Sequence, residues 1–213
     1  MPSITTVFFD IGGVLGTNGW DHTSRQRAAK HFGFDWDSLE KLHSGWSEAL
    51  DTGAITIEKY FRETVLKLPG TSRITPEAFL TFMKSESQPN LEAIAVASRI
   101  AASKEFYMAT LNNESLELND YRIEKFGLRP YFLAFFSSGL LGVRKPNALI
   151  YERALHISQR DPATAVFIDD REGNLEYPRK LGVKTIHFTD AQRLEKDLVA
   201  LGVHCEGSTV TVS

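Results

Sequence analysis

Three aspartates stand at the ends of two apolar runs: Asp10 after Val7-Phe8-Phe9, and Asp169-Asp170 after Val166-Phe167-Ile168. A carboxylate at the carboxyl end of a buried strand, followed at once by Ile11-Gly12-Gly13, is placed to act as a nucleophile or a metal ligand. If both runs join one parallel sheet, the three carboxylates crowd together and persist only when protonated or neutralised by a cation. The donors are all oxygen, which suits magnesium better than zinc. Lys145, in Gly142-Val143-Arg144-Lys145-Pro146, supplies a second neutralising charge that can serve both a nucleophile and a bound phosphate. Thr110-Leu111-Asn112-Asn113 ends another apolar run just before a helical segment, where hydroxyl, amide and free helix N–H donors favour an anion. Strand alternation puts Thr110 and Asn112 on one face, so either could hold phosphate oxygens.

Each piece alone has an ordinary reading. An Asp before Gly-Gly is often a turn residue, Asp169-Asp170 could cap a helix, and a Lys before Pro usually lies in solvent. Their occurrence in order, each at the end of a predicted strand, is what favours chemistry.

Five segments read as short buried strands: Ile4 to Phe9, Phe106 to Leu111, Phe132 to Phe136, Ala165 to Ile168 and Thr185 to Phe188. Helical segments separate the last four: Glu114 to Phe126, Asn147 to Ile157 with Pro146 in its opening turn, and Gly173 to Leu181. That alternation predicts an α/β fold, a Rossmann-like doubly wound parallel sheet whose strand carboxyl ends form the catalytic edge. The first strand breaks the rhythm, because roughly ninety residues separate it from the next, far beyond a normal crossover. The intervening stretch reads as helices over His22 to Phe32, Trp36 to Leu50, Ile57 to Leu66 and Pro76 to Met83, followed by a crossover helix from Asn90 to Ala102. An all-helical cap domain at 16–87, inserted into a catalytic core of 1–15 and 88–213, is therefore expected, hinged at Gly16-Thr17-Asn18-Gly19 and Ser87-Gln88-Pro89.

The 213 residues, 42% hydrophobic and 24% charged, suit a globular chain. Its 24 basic and 27 acidic residues are well mixed, so no electrostatic footprint for nucleic acid is expected. Its one cysteine, Cys205, excludes an internal disulfide and a cysteine-based metal site, and points to the cytoplasm. No apolar stretch approaches the length of a membrane span, and no export signal is visible. Gly207 to Ser213 reads as a frayed end or an added edge strand. Oligomeric state is not readable.

Asp10-Ile11-Gly12-Gly13-Val14, Leu111-Asn112-Asn113, Arg144-Lys145-Pro146 and Ile168-Asp169-Asp170-Arg171-Glu172-Gly173-Asn174 together resemble the four motifs of the haloacid dehalogenase superfamily. The helical insertion resembles its C1 cap, and the aspartate pair looks like the phosphatase subgroup that includes the N-terminal domain of soluble epoxide hydrolases. The resemblance implies a magnesium-dependent hydrolase of a small phosphorylated metabolite that works through an aspartyl-phosphate on Asp10. It also implies metal contacts from Asp10, Asp169, Asp170 and the Gly12 carbonyl, charge stabilisation by Lys145, phosphate contacts from Asn112, Asn113 and Lys145, and support of the aspartate pair by Asn174.

Two departures stand out. Asn112 occupies the place of the family's usual Ser or Thr. Gly12 occupies the place of the second aspartate that serves many of these phosphatases as acid and base, whose loss typically costs about two to four orders of magnitude on poor leaving groups. Asp21, His22 and Glu48 are the replacement acids the inserted helices offer, and Trp20 and Trp46 the aromatic rings that could line a pocket. The Gly12 departure leaves open a catalytically impaired phosphate-binding or interaction protein. It also leaves open dehalogenase chemistry, or phosphonatase chemistry on a lysine such as Lys30, Lys41 or Lys59.

Overall fold

A computed structural model describes residues 3–204. Cys205 and the expected frayed or paired tail at Gly207 to Ser213 lie outside the described residues. Five strands, β1 (Thr6–Phe9), β2 (Tyr107–Asn112), β3 (Ala134–Ser137), β4 (Ala165–Asp169) and β5 (Lys184–His187), form one sheet in the order β3-β2-β1-β4-β5. Every pairing is parallel.

Side-chain alternation divides the core into two layers. Val7 and Phe9 of β1 face one way, with Met108, Val166 and Ile168, and meet α5 (Leu91–Ser103), α6 (Leu116–Lys125) and α10 (Ala191–Ala200). Phe8, Ala109, Leu111 and Phe167 face the other way, against α8 (Ala148–Ser158) and α9 (Glu172–Lys180). A sheet covered on both faces must have apolar residues at successive positions, which is why β1 reads as an unbroken apolar run.

Between β1 and α5 the chain forms α1 (His22–Phe32), α2 (Trp36–Asp51), α3 (Ile57–Glu63) and α4 (Pro76–Ser85). Asp21, Asp35, Thr56 and Thr75 cap them, each accepting a backbone N–H with its side chain. These helices share an apolar cluster of their own, built on Leu39, Tyr60, Phe61 and Phe79 and joined by Leu118 of α6. The two connecting strands of chain are stitched to each other. Thr17 N–H donates to the Gln88 carbonyl at 2.9 Å, and Asn90 N–H to the Leu15 carbonyl at 2.9 Å.

Some expected boundaries move. The segment expected as one helix to Leu66 breaks at Thr64 into a 3₁₀ turn, Val65–Lys67. α6 opens only at Leu116, which frees 113–115 to form a loop at the sheet edge. Pro146 precedes the cap Asn147 and does not enter α8, and Pro178 is accommodated inside α9. The four-residue helix α7 (Ser138–Leu141) and α10 were not anticipated.

Candidate active site

Register explains why the aspartates meet. β1 and β4 are hydrogen-bonded neighbours with Phe9 opposite Ile168, so the next residues, Asp10 and Asp169, emerge side by side at the carboxyl edge. Adjacent strands lie about 4.8 Å apart, and Asp170 follows on the turn. One ligating oxygen from each of Asp10, Asp169 and Asp170 can be chosen so that all lie within 4.8 Å of one another, an oxygen-only donor set suited to a hard divalent cation.

Lys145 reaches this edge from the loop after α7. Its Nζ lies 3.0 Å from Asp10 Oδ2 and 2.7 Å from Asp169 Oδ2, and donates to the Leu111 carbonyl at 3.0 Å. Asn113 holds the lysine backbone at both polar groups, accepting from Lys145 N–H at 2.8 Å and donating to the Lys145 carbonyl at 2.9 Å. Asn174 donates to both oxygens of Asp169, at 3.0 and 3.1 Å, and Arg171 N–H donates to Asp169 Oδ1 at 2.8 Å. Asp169 is thus fully buried and fully hydrogen-bonded, whereas Asp170 Oδ1 is buried with no partner among the described residues.

Electrostatics follow from burial. Desolvation drives the Asp10 carboxyl up from 3.8 to about 7, with Lys145 pulling it down and Asp169 and Asp170 pushing it up. Asp170 is raised by the same burial and by Asp169. Lys145 is raised, because the attraction of Asp10 and Asp169 outweighs its own desolvation. Such a cluster is poised to accept positive charge.

The edge opens into a cavity of about 540 Å³. Asp10, Gly12, Asn113, Lys145 and Asn174 form its floor, and Trp20, His22, Arg25, His43 and Asp51 of the inserted helices its far side. Trp20 Nε1–H donates to the Tyr60 hydroxyl at 2.9 Å, and that oxygen is 2.8 Å from His43 Nδ1. Burial, with Arg25 and Arg144 nearby, lowers His43 to about 4, so the ring is neutral at pH 7. Arg144 joins the two sides through Asp51, 2.8 Å away.

Several expected residues are placed differently. Asn112 is 1% exposed and does not line the cavity; its amide donates to Asn119 Oδ1 at 3.2 Å, so Asn113 alone of the pair reaches the site. Thr110 is equally buried, its hydroxyl without a partner among the described residues. Asp21 and His22 line the cavity, but Glu48 and Trp46 do not. Lys30, Lys41 and Lys59 are exposed and away from it. Glu114 and Arg122, both buried and ion-paired at 2.9 Å, were not anticipated. The available signal was spacing: Arg122 lies one turn beyond Leu118, on the buried face of α6.

Comparison with known proteins agrees with this architecture. A bifunctional epoxide hydrolase 2 of Sus scrofa is 27% identical over 213 aligned residues, covering 92% of this chain; the chain spans 38% of that protein's length. A sesquiterpene phosphatase, astK, of Aspergillus oryzae is 25% identical over 197 residues, covering 86% of this chain and 89% of that protein. A crystal structure of a HAD-family enzyme from Bacteroides thetaiotaomicron, in complex with magnesium and inorganic phosphate, superposes with a TM-score of 0.74 at 19% identity, over 90% of this chain and 99% of the other. The family model for haloacid dehalogenase-like hydrolases matches residues 4–182, a span that holds every strand end described above except that of β5, and the chain belongs to that family.

Proposed function

We propose that this protein is a magnesium-dependent phosphatase of a small phosphorylated metabolite, working through an aspartyl-phosphate on Asp10. The observation that carries the reading is the convergence of the Asp10, Asp169 and Asp170 oxygens within 4.8 Å of one another, with Asp10 and Lys145 lining the cavity. The cavity volume lies in the range of small-molecule sites.

Asp10, Asp170 and the Gly12 carbonyl would hold the cation, with Asp169 contributing directly or through water. Bound there, magnesium would neutralise charge on the phosphate oxygens and on the nucleophile. Asp10 attacks phosphorus; Lys145 stabilises the charge that accumulates on the transferring group; Asn113 keeps Lys145 in place; Asn174 orients Asp169. The inserted helices at 16–87 supply the side of the cavity that would select the rest of the substrate. The magnesium-bound and phosphatase relatives support this chemistry. The single cysteine supports a cytoplasmic setting.

Gly12 favours a second reading, an impaired phosphate-binding protein on the same fold, because no acid or base stands at that position. A panel of phosphate esters, acyl phosphates and phosphoanhydrides assayed with Mg²⁺ separates the two. Turnover by the wild type that is abolished in Asp10→Asn is expected; full activity in Asp10→Asn refutes the mechanism, and no turnover on any substrate favours the binding protein.

A further inference from the structure

We propose that Glu114 carries the proton to the leaving group, the task that Gly12 cannot perform; this rests on the phosphatase reading above. The space beside Gly12 is bounded by two groups. A Cβ built on Gly12 would lie 3.3 Å from Asn18 Oδ1 and 3.8 Å from Arg122 Nη1. That same Arg122 nitrogen lies 2.9 Å from Glu114 Oε2. A carboxylate extending from position 12 would approach this guanidinium; here Glu114 brings its carboxylate to it from the loop after β2.

Glu114 lines the same cavity as Asp10, Gly12 and Lys145, although it is only 5% exposed. Its placement is fixed from several sides. Glu114 N–H donates to Ser138 Oγ at 2.9 Å, Ser137 Oγ donates to the Glu114 carbonyl at 3.1 Å, and Ser115 N–H donates to Glu114 Oε1 at 3.1 Å. Gly19 makes room for it. A Cβ on Gly19 would lie 2.2 Å from Glu114 Oε2, so a larger residue there would push this carboxylate aside. Burial raises the Glu114 carboxyl above the ordinary range, Asp51 adds to this, and Arg122 opposes it.

Three other titratable groups of the cavity are engaged elsewhere, Asp51 with Arg144 at 2.8 Å among them, and His22 packs edge-on against Trp36. Asp21 accepts Ser24 N–H at 2.7 Å as the cap of α1. His43 is neutral, with Nδ1 occupied by Tyr60.

As an Asp10 oxygen bonds phosphorus and the bond from phosphorus to the ester oxygen breaks, Glu114, paired with Arg122 in the free enzyme and protonated once the anionic substrate is bound, gives its proton to that oxygen and the alcohol leaves. Glu114 remains as a carboxylate on Arg122. It then takes a proton from the water whose oxygen bonds phosphorus while the bond to Asp10 breaks, which returns inorganic phosphate, the Asp10 carboxylate and protonated Glu114.

The test is the dependence of kcat/KM on the leaving group, from primary alkyl phosphates to 4-nitrophenyl phosphate, with Mg²⁺. Wild type should be nearly insensitive to leaving-group basicity, and Glu114→Gln should lose on the order of a hundredfold or more on alkyl esters relative to the nitrophenyl ester. Glutamine keeps an acceptor for Arg122. A steep dependence in wild type overturns the assignment without recourse to any variant. So does a Glu114→Gln profile parallel to wild type, or a selective loss in His43→Gln that Glu114→Gln does not show. No hydrolysis of any ester by wild type overturns the phosphatase reading, and this proposal with it.

Discussion

Replacing Asp10 by asparagine should stabilise the metal-free protein while removing its chemistry. Asp10 is 5% exposed, and burial together with Asp169 and Asp170 carries its carboxyl to about 7, against the pull of Lys145. The fold therefore binds this proton more tightly than the unfolded chain does, the reverse of a paired surface aspartate. Stability is fully present below the unfolded value of 3.8 and is lost as pH rises towards about 7. A difference of about three units is worth about 4 kcal/mol once the group is ionised in both states, and about 2 kcal/mol at pH 5. Asparagine keeps the shape and has no charge to desolvate. It forfeits the contact with Lys145 at 3.0 Å, whose attraction already enters that balance, and the lysine keeps Asp169 at 2.7 Å. Urea unfolding in EDTA at pH 5 and pH 8 measures the effect. The advantage of Asp10→Asn should grow between the two, and Mg²⁺ should reverse it by stabilising wild type more. An Asp10→Asn protein no more stable than wild type in EDTA at pH 8, or an advantage independent of pH, refutes the reasoning.

Gly13→Ala tests the neighbouring turn: φ is +76° and a Cβ would lie 2.2 Å from Asp170 Oδ2. We expect a loss of about 1–2 kcal/mol from the left-handed backbone alone, read by thermal unfolding, and at least a tenfold weaker Mg²⁺ affinity by calorimetry as Asp170 is pushed aside. His43 should stay neutral down to about pH 5, visible as an unshifted ring resonance by NMR. Its value is lowered from 6.5 to about 4, so stability is lost as pH falls through that window, at about 1.4 kcal/mol per unit, and His43→Gln should flatten this part of the curve.

Local patterns were legible where local physics decides them. Apolar runs bounded by turns located all five strands, because strands buried on both faces have no polar alternation to confuse the reading. Helical segments placed α1 to α4 to within a few residues, and in the structure a side-chain oxygen satisfies free N–H groups at each start. The breaks at Thr64 and before Leu116 were not legible, since packing and the site loop override helix propensity there.

For the site, residue type and position singled out Asp10, Asp169 and Asp170 at strand ends and Lys145 ahead of a helix, and the family resemblance added Asn174. Whether Asn112 or Asn113 faces the cavity depended on where β2 ends and how the loop turns, which strand periodicity does not encode. Glu114 and Arg122 were invisible as a pair because two charged residues on a loop and the helix after it are ordinary on a surface, and only the packing of α6 against the segment at Thr17 buries them. The sequence by itself determined which groups are available for chemistry and that they end strands. The strand order, which sets β4 beside β1, decided that the carboxylates crowd together, because hydrogen-bonded strands bring residues some 160 apart to within about 5 Å. The inserted helices, folded over that edge, decided which side chains close the cavity above it.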